Sequence, residues 1–394
     1  MKQFEKVLKG ANKKISLSFI SSYVPRKCGI ATYTKDLVNA ISYVNPYSKN
    51  EIIALIKPED KIIYPPIVKF KIHQEDKQSY IKAAEYLNNS KNDLIILEHE
   101  FGLYGGDFGS YIIYLLKNLK KPLIITTHTI PEDPNKDYGL VLKETIKYAQ
   151  KIIVMMPQSV NKLVKKYNYP KENIEIIPHG VPDIPFEPNN NHKILKGLEN
   201  KIVIGNINLL SEVKGLEYII DALPEIKKYF ENILYLIIGQ THPVVLKNEG
   251  EKYRNFLLEK INRLNLSENV QFINKYLTLE ELIEWLKVID IYITPYLDPQ
   301  QSASGALAYA IGAGKACIST PYLYAKDVLS DGRGIFIPFK DSKAISQAVI
   351  DLLNNPKKKE LMERKTYKFG RYMTWYNVAT QHLNLFYKML NNVK

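Results

Sequence analysis

The stretch of this chain best suited to chemistry is Ser302-Ala-Ser-Gly305, set between the β-branched run Ile289–Thr294 and the alanine- and glycine-rich segment that reaches Gly314. If a helix begins at these small and hydroxylated residues, its first backbone N–H groups point outward at the positive end of the helix dipole with no side chain in the way. Such an end suits an anion, phosphate above all. Ser304, Gly305 and Ala306 are therefore candidate phosphate contacts, although the small residues Ala306, Ala308, Ala310, Gly312, Ala313 and Gly314 serve plain helix–strand packing equally well. A second glycine loop, Pro25-Arg-Lys-Cys-Gly-Ile-Ala-Thr-Tyr-Thr34, places Gly29 where another helix opens, and any strand–helix turn can demand a glycine there. Glu98, His99 and Glu100 gather two carboxylates and an imidazole after the apolar run Asp93–Leu97, and His128 follows Pro122–Thr127. Side chains at the carboxyl ends of strands are where open α/β sheets bind ligands. His179, after Pro178, reads as a turn residue.

The elements that must hold these groups alternate in kind. In the first half, strands are expected at Ile15–Ser21, Glu51–Ile56, Asp93–Leu97, Pro122–Thr127, Lys151–Met155 and Ile174–Ile177, with helices between them. Asp183–His192, with two prolines and three consecutive asparagines, reads as a linker. The strand–helix rhythm then resumes at Ile202–Ile207, Leu234–Gly239, Val270–Ile273 and Ile289–Thr294, and the last helix spans Asn377–Lys388. This pattern predicts an α/β fold of two doubly wound domains facing across a cleft.

Composition sets the bounds. A chain of 394 residues exceeds one ordinary core, so two domains of about 190 residues each are expected. With 45% hydrophobic and 24% charged residues and no long apolar run, it reads as a soluble, cytoplasmic protein. Cys28 and Cys317 are too few and too far apart for a disulfide framework or a zinc site. The 54 basic against 41 acidic residues give a net charge of +13, but the lysines are scattered, as on a solvated surface.

Taken together, the Pro25–Thr34 loop, Thr126-Thr-His128, Ile177-Pro-His-Gly-Val181, Lys214-Gly215, Asp290–Tyr296 and the small-residue helix ending in Gly314-Lys-Ala-Cys-Ile318 resemble a retaining glycosyltransferase of family 4, with the GT-B fold. Glu98-His-Glu-Phe-Gly and Ser304-Gly-x-Leu-Ala-Tyr-Ala310 are similar to a bacterial subgroup of mannosyl-type or unassigned members.

The resemblance implies transfer of a hexose, mannose or glucose, from a nucleotide diphosphate sugar to a hydroxyl with the anomeric configuration kept. It implies an acceptor-side domain at 1–185, joined by a terminal helix at 373–394, and a donor-binding domain at 186–372. Charge growing on the leaving diphosphate would be met by Lys214 and the Ser304, Gly305 and Ala306 amides, with Gly29 opposite. His128 would contact the donor sugar, Lys275 joins the donor set, and Glu98 and Glu100 would orient the acceptor or act as base. No cofactor or metal is implied, and no Asp-x-Asp pair occurs. The partners implied are the donor and a carbohydrate or glycolipid acceptor, not nucleic acid; peripheral membrane contact and the number of copies stay open. Three positions depart from the family pattern: Gln301 and Tyr309 stand where glutamates usually bind the donor sugar and the ribose, and Leu209 where an arginine precedes the helix-opening lysine. A glycoside phosphorylase on the same fold, or a non-catalytic binder of polyanions or carbohydrates, are the competing readings.

Overall fold

The structure, a computed structural model, describes residues 13–58 and 60–392. Two compact units divide it. One runs to Gly180 and regains the chain at Trp375; the other is Val181–Thr374.

The first unit is built on β1 (Ile15–Ser21), β2 (Ser48–Ile56), β3 (Val68–His73), β4 (Leu94–His99), β5 (Leu123–Thr127), β6 (Lys151–Val154) and β7 (Ile174–Ile176). All pair in parallel in the order β3-β2-β1-β4-β5-β6-β7. The central strands are buried along almost their whole length, which is why they read as continuous apolar runs and not as alternating ones. Connections pass through α1 (Gly29–Val44), α2 (Lys77–Asn89), α3 (Ile112–Asn118), α4 (Tyr138–Thr145) and α5 (Pro157–Tyr167). The Asp76 carboxylate starts α2 by accepting from the Gln78 amide, and Pro157 sits at the first turn of α5, where no donor is needed. The edge strand β3 has no counterpart in the sequence reading.

The second unit has β8 (Ile202–Ile207), β9 (Ile233–Ile238), β10 (Val270–Ile273), β11 (Ile291–Thr294), β12 (Ala316–Ser319) and β13 (Gly334–Phe336), in the order β10-β9-β8-β11-β12-β13. Its helices are α6 (Asn190–Ile194), α7 (Leu216–Lys227), α8 (Pro243–Glu249), α9 (Lys252–Arg263), α10 (Leu279–Val288), α11 (Gly305–Gly312), α12 (Leu323–Val328), α13 (Ser342–Asn354) and α14 (Pro356–Gly370). A final helix, α15 (Trp375–Asn392), belongs to the first unit and packs on α1, where the Asn45 amide donates to the Tyr387 hydroxyl at 2.7 Å.

The division falls at Gly180/Val181, short of the proline- and asparagine-rich stretch where the sequence placed it, because that stretch is fastened into the second unit. Asp183 pairs with Arg371, Phe186 lies 4.9 Å from the Tyr367 ring, Asn189 bonds to Asp290, and α6 forms within it. The return likewise falls at Thr374/Trp375. No helix among the described residues is long and apolar enough to cross a membrane.

Candidate active site

In each sheet the winding reverses once, and loops on either side of such a reversal form the crevice where doubly wound sheets hold ligands. In the second unit the reversal lies between β8 and β11. The loop after β8 ends in Lys214, and the loop after β11 ends at Ser304. Leu297 N–H donates to the Val213 carbonyl at 2.9 Å, tying the two loops together. Gly215 follows Lys214 with φ +62°, and a Cβ there would stand 2.4 Å from the Pro295 carbonyl oxygen. Only glycine permits that approach.

Lys214 Nζ lies 4.0 Å from the centre of the Tyr296 ring, a cation–π contact. Burial pushes its pKa down from 10.5 to about 8, and the nearby Asp298 charge offsets this only in part. Tyr296 stacks on Tyr322 with ring centres 5.1 Å apart and an interplanar angle of 17°, and its hydroxyl bonds to Asn208. Ser304 hydrogen-bonds to both phenols and caps α11, its hydroxyl accepting from Leu307 N–H at 3.2 Å. Gly305 and Ala306, partly exposed, form the first turn of α11. Lys214, Ser304 and the α11 N-terminus thus gather around Tyr296, a residue the sequence reading quoted in a motif without giving it a role.

The other expected donor contacts are placed differently. Gln301 donates from Nε2 to the Ala303 carbonyl at 2.9 Å, bracing its own loop. Tyr309 is buried on α11. Lys275, exposed just beyond β10, is ion-paired with Glu281, which also completes a capping box with Thr278 at the start of α10.

In the first unit the reversal lies between β1 and β4. Gly29 opens α1 after the β1 loop, with nothing within 4 Å of where a Cβ would stand. Glu98, on β4, is fully buried; its Oε2 accepts from His128 Nε2–H at 2.9 Å, while its Oε1 has no partner among the described residues. His128 is positioned by β5 and by its own N–H, which donates to the His99 carbonyl at 3.0 Å. Glu100 accepts from the Thr129 hydroxyl at 2.7 Å and from Phe101 N–H at 3.0 Å. Tyr33, from α1, touches His128 edge-on at 5.1 Å, His179 at 5.3 Å and Trp375 at 5.5 Å. His179 binds the Gly180 carbonyl through Nδ1 at 2.7 Å, and burial pushes its pKa down to about 4, in keeping with a turn-holding role. Tyr33 and Trp375 were not singled out from the sequence; an aromatic at the fifth position of the glycine-opened helix was the available signal.

This arrangement can hold an anion against a desolvated ammonium and a helix N-terminus in one unit. In the other it presents an imidazole braced by a buried carboxylate.

Residues 188–369 match the family described as Glycosyl transferases group 1, and residues 50–183 match Glycosyltransferase Family 4. The uncharacterized glycosyltransferase MJ1069 of Methanocaldococcus jannaschii is 25% identical over 244 residues, 61% of this chain and 59% of that protein, so the match spans less than two thirds of the relative's length. Among solved structures, sucrose-phosphate synthase from Thermosynechococcus elongatus superposes with a TM-score of 0.77 at 16% identity, covering 97% of this chain and 100% of that one. Anabaena HepE in complex with UDP and glucose gives 0.72 at 14% identity, covering 96% and 100%. With one family matched in each half and the GT-B architecture throughout, the chain is a glycosyltransferase of family 4, group 1.

Proposed function

We propose that the chain transfers a hexose from a nucleotide diphosphate sugar to a hydroxyl of a carbohydrate or glycolipid acceptor, with retention of configuration and without a metal. One observation carries the reading. Lys214 is an ammonium whose pKa burial depresses to about 8, set over Tyr296 beside the N-terminus of α11. A cation held at that cost gains most from a ligand bringing negative charge, and a departing diphosphate brings more as the glycosidic bond breaks. The UDP bound by HepE, a neighbour of the same fold, accords with a nucleotide donor. His128, braced by Glu98, is the group we assign to the donor sugar, and the orphan Glu98 Oε1 is an acceptor for an incoming hydroxyl. Retention rests on the family resemblance.

The test is incubation of the purified chain with UDP-, GDP- and ADP-linked glucose and mannose and a panel of saccharide acceptors. Nucleoside diphosphate release should depend on the acceptor and persist in EDTA, and proton NMR should find the donor's anomeric configuration in the product. Phosphate-dependent cleavage of an oligosaccharide with no use of any nucleotide sugar would replace this reading with a phosphorylase.

A further inference from the structure

Beside Glu98 and Glu100, the first unit carries an aromatic row that nothing above has used. It begins at His99, whose ring is buried with neither nitrogen partnered among the described residues, and runs outward through Phe101 and Tyr138 to Phe108. The ring centres are 4.8 Å apart at each step, with interplanar angles of 87°, 60° and 73°. The inner end is sealed, with Phe101 only 6% exposed, whereas Tyr138 is 47% and Phe108 41% exposed.

Both outer rings are held out by unusual backbone. Phe108 itself has φ +54° and ψ +25°, a left-handed conformation that a bulky residue rarely adopts. Tyr138 follows Asp137, at φ +47° and ψ −118°. Gly139 comes next, where a Cβ would stand 1.8 Å from the Asp133 carbonyl oxygen, so this loop is folded tightly on itself. Two loops, one after β4 and one after β5, each carry local strain to present an aromatic side chain to water. Strain of that kind persists where the surroundings enforce it and points to use of the residue displayed.

Charge narrows what the rings receive. The two loops that carry the rings, residues 101–110 and 129–139, hold four acids (Asp107, Glu132, Asp133, Asp137) and one lysine (Lys136), with no excess of basic residues. An anionic lipid surface or a nucleic acid would call for an excess of basic residues. A neutral ligand with one apolar face and many hydroxyls fits: ring carbons of a pyranose lie against an aromatic face while carboxylates accept from its hydroxyls. We infer that Tyr138 and Phe108 form a subsite for a pyranose ring of the acceptor, a saccharide rather than a lipid headgroup. The inference rests on the assignment of the acceptor to the first unit and adds the acceptor's chemical class.

The experiment uses the full chain. Saturation-transfer NMR with maltotriose, mannobiose and cellobiose at millimolar concentration should show binding through the sugar ring protons. Tyr138→Ala and Phe108→Ala should each weaken binding about tenfold or more, while Tyr138→Phe, which keeps the ring, should retain it. Melting temperatures report whether the variants fold, and UDP and GDP affinity reports whether the second unit is intact. Failure of every saccharide to bind the unaltered chain, or equal binding by the alanine variants, overturns the inference. So does ring-dependent binding to phosphatidylglycerol vesicles without saccharide binding. Transfer activity with an acceptor KM unchanged in the alanine variants would sink the subsite and leave the transferase reading standing; ring-dependent saccharide binding with no use of any nucleotide sugar would do the reverse.

Discussion

Lys214→Met separates a lysine kept for a ligand from one kept for the fold. Methionine preserves much of the apolar stem over Tyr296 and removes the charge. A pKa lowered from 10.5 to about 8 means that folding without ligand pays up to ~3 kcal/mol for holding the ammonium at pH 7. The lost cation–π contact at 4.0 Å returns roughly 0.5–2 kcal/mol of that. The ligand-free variant should therefore be more stable by ~1–2 kcal/mol, a rise of roughly 2–8 °C in the melting of the second unit. The sign with pH follows from the depressed folded-state value. The penalty is complete below about 8, fades as pH rises from there towards 10.5, and is absent above, so the advantage of the variant should vanish in strong alkali. In the same protein kcat/KM should fall by ~10²-fold or more, because the charge that met the diphosphate is gone. Calorimetry across pH and steady-state kinetics on one preparation read both effects. If melting temperature and activity fall together at pH 7, Lys214 is structural and the reasoning fails.

Gly215→Ala should cost ~2 kcal/mol or more and raise the donor KM, since the new Cβ meets the Pro295 carbonyl and shifts Lys214; chemical denaturation and kinetics that match the parent would refute the tight-loop argument. Glu98→Gln keeps the shape but removes the anion facing His128, so kcat should drop about 10²-fold with the donor KM nearly unchanged, and an equal loss in both would mean that Glu98 binds donor. His99→Phe should be neutral or stabilising by ~1 kcal/mol, because burial already holds that imidazole uncharged, at a pKa of about 3, with both nitrogens unpaired; a denaturation midpoint well below the parent would reveal a partner that the structure does not record.

What could be read in advance was whatever local pattern dictates. The buried strands β1, β4, β5 and β8 announce themselves as apolar runs, and Ser304 as a cap before a thin helix is visible from residue types alone. β3 was missed because Val-Lys-Phe-Lys-Ile-His alternates polar and apolar residues, as an edge strand paired on one side can, and so lacks the continuous run used to find its neighbours. The partnership of Glu98 with His128 spans thirty residues and exists only because β4 and β5 pair, with Glu98 opposite Thr126. Tyr296 was hidden by the same kind of distance: its ring meets Lys214, Ser304 and Tyr322 only when the loops after β8 and β11 are brought to the switch point. The bond from the Gln301 amide to the Ala303 carbonyl depends on how its own loop folds and has no signal in the residue types.

The second unit enters and leaves through neighbouring residues. Val181 N–H donates to the Met373 carbonyl at 2.7 Å and Val181 is bridged to Thr374, so Val181–Thr374 is an insertion whose two ends are stapled side by side. During synthesis this imposes an order of events. The second unit has all its strands before Trp375 leaves the ribosome, whereas α1 must wait for α15, the helix that packs on it in the finished protein. A chain stalled after Thr374, before α15 is made, carries a complete second unit and a first unit whose α1 is uncovered. The arrival of α15 therefore ends the interval in which the face of α1 that it covers stays open to chaperones and proteases.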